Sequence, residues 1–441
     1  MTQSARVFRI LVPIRSAPVR SYTLRYVKNV AYRFYSTSQH LPPLSASAVV
    51  VGAGPAGITV VGNLLEHDQR PLVWVDPSFR GGRVNAQYRE VPSNTKANLF
   101  VQFAQAVAPF KVIVESAKKP NAFTALEKLP QEQGCSLNHA ADLCLMLTEG
   151  LTKRSDIKPH KAQVTDATLD ERTNTWSVGL SDGQSVTTSK LVLCTGSEPR
   201  PDELTSVREL HAEHIRPIHL DIALTPSKLA QGFDPAAEST VAVIGASHSA
   251  ILVLMNLVNL ASSSHPHLRI KWFTRNQLRY AEYKEGWILR DNTGLKGQAA
   301  EWARQHLDDE AFPNSPVSKI VTKVWTAKNE QEIYRAELPQ CTDIIQAIGY
   351  VRNPIPSVEV IKEDGSRITP SITYNHSNGR FYSNATLGEK NRQAYVPGLF
   401  GAGIAFPERV TDPLGNVEYA VGFWKFMKFV KRVVPDWLGK P

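Results

Sequence analysis

The chain alternates short, mostly apolar runs with longer stretches in which apolar residues recur at helical spacing. Apolar runs of this kind, bounded by turn residues, are typical of strands that are buried on both faces of a parallel sheet. Two units each contain a run, a helical pattern and a second run. These are Ala48–Val51, Ile58–Leu65 and Leu72–Val75, and later Val241–Ile244, Ile251–Leu260 and Leu268–Phe273. The pattern predicts an α/β fold with two such units.

Other patterns predict the segments between and after these units. Residues 98–153 have helical spacing and predict helices that cover the first unit. Val164–Leu169, Thr175–Leu180 and Ser185–Cys194 are separated by turn compositions and predict a three-stranded β meander. Repeated prolines across residues 197–238 predict an irregular linker.

The C-terminal residues Val417–Val434 predict an amphipathic helix. One face would hold apolar side chains and another would hold the basic ones. The apolar set is Phe423, Phe426, Met427, Val430 and Val434, and the basic set is Lys425, Lys428 and Arg432. Such a helix either docks against the body of the protein or makes peripheral contact with a membrane surface.

A glycine-rich turn joins the first strand to the first helix. It reads G-x-G-x-x-G and contains Gly52, Gly54, Pro55, Ala56 and Gly57. Gly52 would permit the tight turn, Gly54 would let the backbone approach a pyrophosphate, and Gly57 would let helix and strand pack closely. The next strand ends in Asp76, where an acid would accept hydrogen bonds from ribose hydroxyls. The first unit is therefore predicted to bind a dinucleotide.

A second turn repeats this order with smaller changes. Gly245, Ser247 and Ala250 form a G-x-S-x-x-A pattern between strand and helix. The following strand ends near Arg275, where an NAD enzyme would favour an acid and where an arginine can pair with a 2′-phosphate. This favours NADPH over NADH, although NADH stays open, and Arg275 with Arg279 could equally form a solvated basic loop. His248 is expected to pack at the helix start or face solvent.

Further segments carry a resemblance to a known family. Arg80-Gly81-Gly82 and the segment Tyr88–Lys96 resemble those of flavin-containing monooxygenases, which belong to the two-dinucleotide-binding flavoproteins. The resemblance implies that Asn94 lies near flavin and nicotinamide, so Asn94 is the catalytic candidate, with an ordinary turn residue as the alternative. Thr195-Gly196 resembles the turn with which these flavoproteins leave the FAD domain, and the resemblance implies that both residues bind the cofactor. Gly401-Ala402-Gly403 resembles the late motif whose backbone reaches the flavin. Ile404 stands where disulfide reductases have Asp.

The resemblance also implies the organisation of the chain. It predicts two Rossmann-like dinucleotide-binding domains, with the NAD(P) domain inserted into a discontinuous FAD domain. The predicted ranges are 46–200 and 346–410 for FAD, 201–345 for NAD(P), and 411–441 for the C-terminal helix. The expected cofactors are FAD and NADPH.

Charge changes the picture only at the N-terminus. Seven of the nine net positive charges lie in residues 1–35, before the first acidic residue, Glu66. The rest of the chain is close to neutral, so its composition gives no reason to expect a nucleic-acid partner. An Arg-rich, acid-free leader predicts a mitochondrial transit peptide within residues 1–45, with a retained basic tail as the alternative. The protein is then expected in the matrix or at the inner membrane.

The four cysteines are Cys135, Cys144, Cys194 and Cys341, and no two have C-x-x-C or zinc-site spacing. Dithiol chemistry and a metal site are therefore not expected. The leading hypothesis is an FAD oxidoreductase that is reduced by NAD(P)H and acts on a small molecule, in the manner of monooxygenases. Flavin-containing and Baeyer-Villiger monooxygenases have an F-x-G-x-x-x-H run before the second turn, and this chain does not. Two alternatives to the monooxygenase reaction therefore stay open. One is a dehydrogenase that passes electrons to a quinone or protein, and the other is a flavoprotein that controls a protein interaction. Oligomeric state stays open as well.

Overall fold

The computed structural model describes residues 44–200, 214–383 and 394–439. All but the last two residues of the predicted transit peptide lie outside the described residues. The domain boundaries given above stay predictions. Twelve helices within these ranges are numbered here in chain order. They are α1 (Pro55–Glu66), α2 (Gly82–Gln87), α3 (Ala97–Ala104), α4 (Ala108–Ser116), α5 (Ala122–Glu127), α6 (Leu137–Thr152), α7 (Leu220–Ala223), α8 (Pro226–Ala230), α9 (His248–Ser263), α10 (Gly297–His306), α11 (Glu330–Glu337) and α12 (Phe423–Trp437).

A seven-stranded sheet contains the first predicted unit. In spatial order its strands are β22 (Ile372–Tyr374), β23 (Arg380–Ser383), β24 (Ala394–Gly401), β10 (Leu191–Leu193), β2 (Ala48–Val51), β3 (Leu72–Val75) and β6 (Ile157–His160). Strands β24, β10, β2, β3 and β6 are parallel. The apolar sequences of β2 and β3 follow from burial on both sheet faces. Helices α1, α3, α4 and α6 contribute to the core against this sheet.

A five-stranded parallel sheet contains the second unit. Its order is β12 (Arg216–Pro217), β18 (Asp343–Gln346), β13 (Ser239–Ile244), β14 (Leu268–Thr274) and β17 (Val321–Trp325). Helix α9 follows β13 and is buried over most of its length, which explains its almost continuous apolar sequence. Because the strands are parallel, the carboxyl ends of β13, β14 and β17 lie at the same edge of the sheet.

A six-stranded sheet contains the meander. Its order is β1 (Leu44–Ala46), β9 (Ser185–Thr188), β8 (Thr175–Leu180), β7 (Val164–Asp170), β20 (Ser357–Ile361) and β21 (Arg367–Ile368). The prediction of one strand over Ser185–Cys194 was wrong. Strand β9 ends at Thr188, whose hydroxyl accepts a hydrogen bond from the backbone N–H of Lys190, and β10 then joins the seven-stranded sheet. The stretch Ser185–Cys194 thus contributes one strand to each of two sheets.

Four two-stranded sheets complete the strands. They are β4 (Pro92–Lys96) with β5 (Gly134–Ser136), β11 (Ser197–Pro199) with β19 (Tyr350–Arg352), β15 (Glu282–Tyr283) with β16 (Ile288–Leu289), and β25 (Glu408–Thr411) with β26 (Val417–Ala420). The pair β11 and β19 is antiparallel and lies where the chain leaves and re-enters the seven-stranded sheet region. Residues 197–238, predicted as irregular, also contain the short helices α7 and α8.

The C-terminal helix begins later than predicted. Val417–Ala420 form β26, and α12 covers Phe423–Trp437. The apolar face of α12 is buried against α1 and α3. The ring of Phe423 lies 5.2 Å from that of Phe100, and the buried amide of Asn63 on α1 donates to the sulfur of Met427 at 3.3 Å. Docking against the protein body is thus the arrangement in the structure.

No single described helix combines the length and apolar character of a membrane span. Helices α3 and α4 reach that length and composition only as a pair, bent by 100°.

Candidate functional sites

The first glycine turn is held by backbone and indole hydrogen bonds. Gly52 has φ of +102°, and its N–H donates to the carbonyl of Val75 at 2.8 Å. The indole Nε1 of the fully buried Trp74 donates to the carbonyl oxygen of Gly52 at 2.9 Å. A Cβ at Gly52 would overlap the carbonyl of Cys194. Only glycine satisfies both the positive φ and this close approach.

The remaining residues of this turn start helix α1. Pro55 is its first residue, where a missing N–H costs no helical hydrogen bond. A Cβ at Gly57 would overlap the carbonyl oxygen of Gly52, so glycine is required for the helix to pack this closely. Gly54, by contrast, has extended backbone, and a Cβ there would meet only Gly82 at 3.8 Å. The space over the amino end of α1 is therefore left open at Gly54.

Asp76 lies at the end of β3 and closes the first turn. One carboxylate oxygen accepts from the N–H of Ala53 at 2.7 Å. The other accepts from the N–H groups of Ser78 and Phe79 at 2.8 and 2.7 Å. The predicted ribose contact stays a prediction. The structure shows that this carboxylate first organises the protein's own loops beside the turn.

A cleft of about 1270 Å³ extends from this turn. Its lining includes the predicted residues Gly52, Asp76, Gly82 and Thr195, together with Arg83 and Asn353. Gly81 and Gly82 both have positive φ, and Gly82 packs against Gly54. Gly196 also has positive φ, and its carbonyl accepts from the N–H of Asn353 at 3.1 Å. The structure therefore gathers Gly52, Asp76, Gly82 and Thr195, which are distant in sequence, at one cleft.

One observation tests whether this cleft suits a polar cofactor. The hydroxyl of Thr195 is buried and has no hydrogen-bond partner among the described residues. A buried hydroxyl without a partner carries an energetic cost, which a ligand hydroxyl or phosphate in the cleft would remove. Together with the open amino end of α1, whose N–H groups favour an anion, this fits the pyrophosphate and ribose of FAD.

The late glycine motif meets the first turn from the other side. Gly401 on β24 pairs with Leu193 on β10, and the N–H of Ala402 donates to Leu193 at 3.1 Å. Gly403 has φ of +95°, and a Cβ there would overlap the side chain of Ala56. This places Gly403 and Ala56 in direct contact at the start of α1. Ile404 follows and is 39% exposed.

The second turn is constructed in the same way as the first. Gly245 has φ of +130°, its N–H donates to Phe273 at 3.0 Å, and the indole of Trp272 donates to its carbonyl at 2.7 Å. Ser247 has the same extended backbone before α9 that Gly54 has before α1. Ala250 is fully buried against Gly245, at the place that Gly57 occupies in the first turn. The sequence did not predict that Trp74 and Trp272 would brace the two turns, although each lies in the second strand of its unit.

His248 is the first residue of α9 and lies beside Lys296. Its Nδ1 is buried and has no hydrogen-bond partner among the described residues. Burial, together with the smaller effect of the nearby charge of Lys296, lowers the pKa of His248 to about 4. The imidazole is therefore neutral at physiological pH. This agrees with packing at the helix start and not with a group that titrates near neutrality.

Asn94 does not line the cleft of the first turn. It lies on β4 in a separate cleft of about 900 Å³, which is also lined by Asn256 and Met255 on α9 and by Gly297 at the start of α10. The backbone of Asn94 packs against Gly297. Asn94 thus stands between the first and second nucleotide-binding halves. Its role near the flavin stays a prediction.

Arg275 follows β14 and lines a third cleft, of about 490 Å³. Arg279, Arg290 and Trp325 line the same cleft. Glu282 accepts from Arg290 at 2.9 Å and from Lys284 at 2.7 Å, so that its charge is matched. The cleft keeps a positive balance at the end of the strand where a 2′-phosphate would bind.

A buried carboxylate that the sequence did not reveal joins the two halves. Asp221 on α7 accepts hydrogen bonds from Arg83 and Tyr88. Arg83 lies in the first turn of α2, and Tyr88 directly follows that helix. The hydroxyl of Tyr88 also lies 3.5 Å from that of Tyr350 on β19. Burial strongly raises the pKa of Tyr88, which therefore acts as a hydrogen-bond donor. Asp221 is 138 residues from Arg83, so no local pattern could have signalled the contact.

All four cysteines are free, and burial raises the pKa of each thiol, to about 12 for Cys194. Such thiols are poor nucleophiles at neutral pH. No group of three or more potential metal ligands occurs within the described ranges.

Comparison with known proteins resolves the family. The FAD-NAD(P)-binding family model matches residues 49–198, which include the first turn and Thr195. Monooxygenase AgnR1 of Paecilomyces divaricatus is 48% identical over 404 residues, covering 90% of this chain and 99% of that protein. The chain belongs to this monooxygenase family. The predicted FAD-dependent, monooxygenase-like oxidoreductase that is reduced by NAD(P)H is thereby confirmed.

Two solved structures resemble this chain in fold. A variant of the flavin monooxygenase of Stenotrophomonas maltophilia has a TM-score of 0.52 and 13% identity, covering 90% of this chain and 99% of that one. Cyclohexanone monooxygenase of Rhodococcus sp. Phi1, solved with NADP+, has a TM-score of 0.50 and 14% identity, covering 90% and 85%. These likenesses confirm the predicted α/β fold of two-dinucleotide flavoproteins.

Proposed function

We propose that this protein is an NADPH-dependent flavoprotein monooxygenase that acts on a small molecule. The monooxygenase assignment is supported by 48% identity to a monooxygenase over nearly its whole length. The choice of NADPH is supported by Arg275 and Arg279, which line the cleft at the end of β14, where an NADH enzyme would favour an acid. The related cyclohexanone monooxygenase was solved with NADP+.

The chain's own residues would bind and orient the two cofactors. Gly52, Gly54 and Gly57 would hold the FAD pyrophosphate at the amino end of α1, and Thr195 would donate to FAD from the cleft. Gly245, Ser247 and α9 would hold NADPH in the same manner. When bound, FAD supplies the transfer of electrons from reduced nicotinamide to oxygen. The protein's contribution is alignment, so no acid/base dyad is required.

We propose the cleft that contains Asn94 as the place where the small molecule binds. It is lined by residues of β4 from the first half and by α9 and α10 from the second. A substrate held there would contact elements of both nucleotide-binding halves. Asn94 offers an amide that can both donate and accept hydrogen bonds.

Anaerobic stopped-flow reduction of the yellow holoenzyme tests the electron donor. We expect NADPH to bleach the flavin at least tenfold faster than NADH at equal concentration. The reduced enzyme is then mixed separately with oxygen and with a soluble quinone. Fast reoxidation by oxygen supports a monooxygenase. Fast reoxidation by quinone with slow reoxidation by oxygen supports a dehydrogenase, and failure of both nucleotides to reduce the flavin rejects the proposal.

We also propose that the basic leader within residues 1–45 directs the protein to mitochondria. The support is the concentration of seven basic residues before Glu66. The full chain with a C-terminal fluorescent tag is compared with a variant in which these seven residues are glutamine. Mitochondrial fluorescence of the first and not of the second is expected, and identical distributions would reject the proposal. Because the apolar face of α12 is packed internally, we propose a structural role for this helix and not a membrane anchor.

A further inference from the structure

The cleft that contains Arg275 is formed by the ends of two neighbouring strands. Thr274 on β14 pairs with Trp325 on β17, and the strands are parallel, so both end at the same edge. The N–H of Thr326 donates to the carbonyl of Thr274 at 2.9 Å and fixes this register. The hydroxyl of Thr274 donates to the carbonyl of Asn276 at 2.8 Å, which turns the chain after Arg275. Arg275, which follows Thr274, and Trp325 therefore both lie at this end of the sheet, where they line the same cleft.

Two of the three arginines that line this cleft, Arg275 and Arg279, are not matched by carboxylates. Glu282 is the acidic residue among those lining the cleft, and it already pairs with Arg290 and Lys284. Within the described part of the chain, Arg275 and Arg279 have no carboxylate in ion-pair distance. Two guanidinium groups without a carboxylate in a concave site favour a phosphate, which they bind with paired hydrogen bonds.

Trp325 adds a flat apolar surface beside these cations. Its side chain is 42% exposed, whereas Trp74, Trp176 and Trp272 are completely buried. Trp325 belongs to none of the hydrophobic core clusters formed by the described residues. Indole rings stack on nucleobases, and this contact does not depend on the charge of the ligand.

We propose that Trp325 stacks on the adenine ring of NADPH while Arg275 and Arg279 hold its 2′-phosphate. The inference rests on the proposed use of NADPH and adds the residue that binds the base. The two kinds of contact have separable consequences. Loss of the indole weakens every adenosine nucleotide at this site, whereas loss of the arginines weakens those with a 2′-phosphate.

Calorimetric titration of the oxidised holoenzyme tests this division. The probes are adenosine 2′,5′-bisphosphate and 5′-AMP, which contain the base but no nicotinamide. We expect Trp325→Ala to raise the dissociation constants of both probes by a similar factor of about ten, and Trp325→Phe to restore much of the affinity. Arg275→Gln and Arg279→Gln should raise the constant for the bisphosphate alone.

Arg269→Gln serves as the matched control, because Arg269 lies at the opposite end of the same strand β14. It should bind both probes as the unchanged protein does. Unchanged affinity in Trp325→Ala, with retained flavin and normal circular dichroism, would overturn the assignment of Trp325. If Trp325→Ala raised the dissociation constants of the two probes by strongly different factors, that result would also overturn the assignment of Trp325. Reduction of the unchanged enzyme by NADPH is measured separately, so a failure of the donor assignment is seen there and not in these titrations.

Discussion

At the residue scale, Gly54 and Gly57 of the first turn differ in the space that their surroundings leave for a side chain. Gly57 has no room for a Cβ against the carbonyl of Gly52. Gly54 has ordinary extended backbone and open space, so the fold does not require a glycine there. Substitutions at these two positions should therefore separate folding from cofactor binding.

We predict that Gly54→Val folds but loses its flavin. The valine methyls would fill the space over the amino end of α1 that the pyrophosphate needs. The measurement is the ratio of flavin absorbance to protein absorbance after purification, with circular dichroism for the fold. Ser247→Val, which makes the equivalent change at the second turn, is the control and should keep its FAD. A yellow Gly54→Val protein with full flavin content would show that the first turn is misassigned.

His248 makes a pH-dependent contribution to stability. Its pKa is lowered to about 4 in the folded protein, against about 6.5 in an unfolded chain. The unfolded state therefore takes up protons first, and stability is complete above pH 6.5 and falls as the pH drops from 6.5 towards 4. At pH 5 the loss from this one group is about 2 kcal/mol.

We predict that His248→Gln reduces the loss of stability between pH 7 and pH 5 by about this amount. The measurement is the free energy of urea unfolding at both pH values with saturating FAD. His267→Gln, at an exposed imidazole before β14, should show the full loss of the unchanged protein. If all three proteins lose equal stability, the histidine at the start of α9 is not held neutral.

At the element scale, α12 completes the core around the first turn. Its apolar side chains pack on α1 and α3, and Trp437 stacks on Phe400 of β24 with ring centroids 4.7 Å apart. The helix α12 thus supports both α1, whose amino end is the proposed FAD site, and β24, the strand that carries the late glycine motif. Its removal from the body would expose a wide apolar surface.

We predict that Met427→Ala lowers the free energy of unfolding by about 3 kcal/mol, because Met427 is completely buried and its loss leaves a cavity. Lys428→Ala, one residue on and exposed, should change it by less than about 0.5 kcal/mol. Urea unfolding of both variants checks the pair. Equal and small effects would mean that α12 does not dock as described.

The elements that sequence predicted well are those whose signals are local. An apolar run, a glycine turn and a helical pattern lie next to one another in each unit, so β2, α1, β13 and α9 could be found directly. The division of Ser185–Cys194 between two sheets could not be found, because partner strands decide it. Val417–Ala420 was read as helix for a similar reason, since pairing with β25 overrides its apolar spacing.

At the scale of the whole molecule, contacts around Asp221 link the halves that hold the two cofactors. Arg83 lines the first cleft, and Asp221 belongs to the second half. The hydroxyl of Thr225 on the same side also lies 3.1 Å from the carbonyl of Gln87, which ends α2. The sequence shows both nucleotide turns but not these contacts, because their partners are more than 130 residues apart.

We predict that Asp221→Asn slows flavin reduction by NADPH about tenfold while reduction by dithionite stays unchanged, because hydride transfer needs the two halves aligned. Stability should fall by about 2 kcal/mol, since a charged partner of Arg83 is lost and Arg83 is partly exposed. Asp234→Asn, at an exposed loop of the same half, is the control. Equal slowing of both reductants would point to a damaged flavin site instead.

The indole braces of Trp74 and Trp272 have a consequence for how this protein can diversify. Each turn is held from inside the sheet by a completely buried residue. The side chains proposed to select the cofactor, Arg275 and Arg279, lie elsewhere, beyond the end of β14. Changes in those side chains leave the hydrogen bonds that shape the turn intact. If those side chains select the cofactor as proposed, substitutions that alter cofactor preference leave the folding of the two turns unaffected.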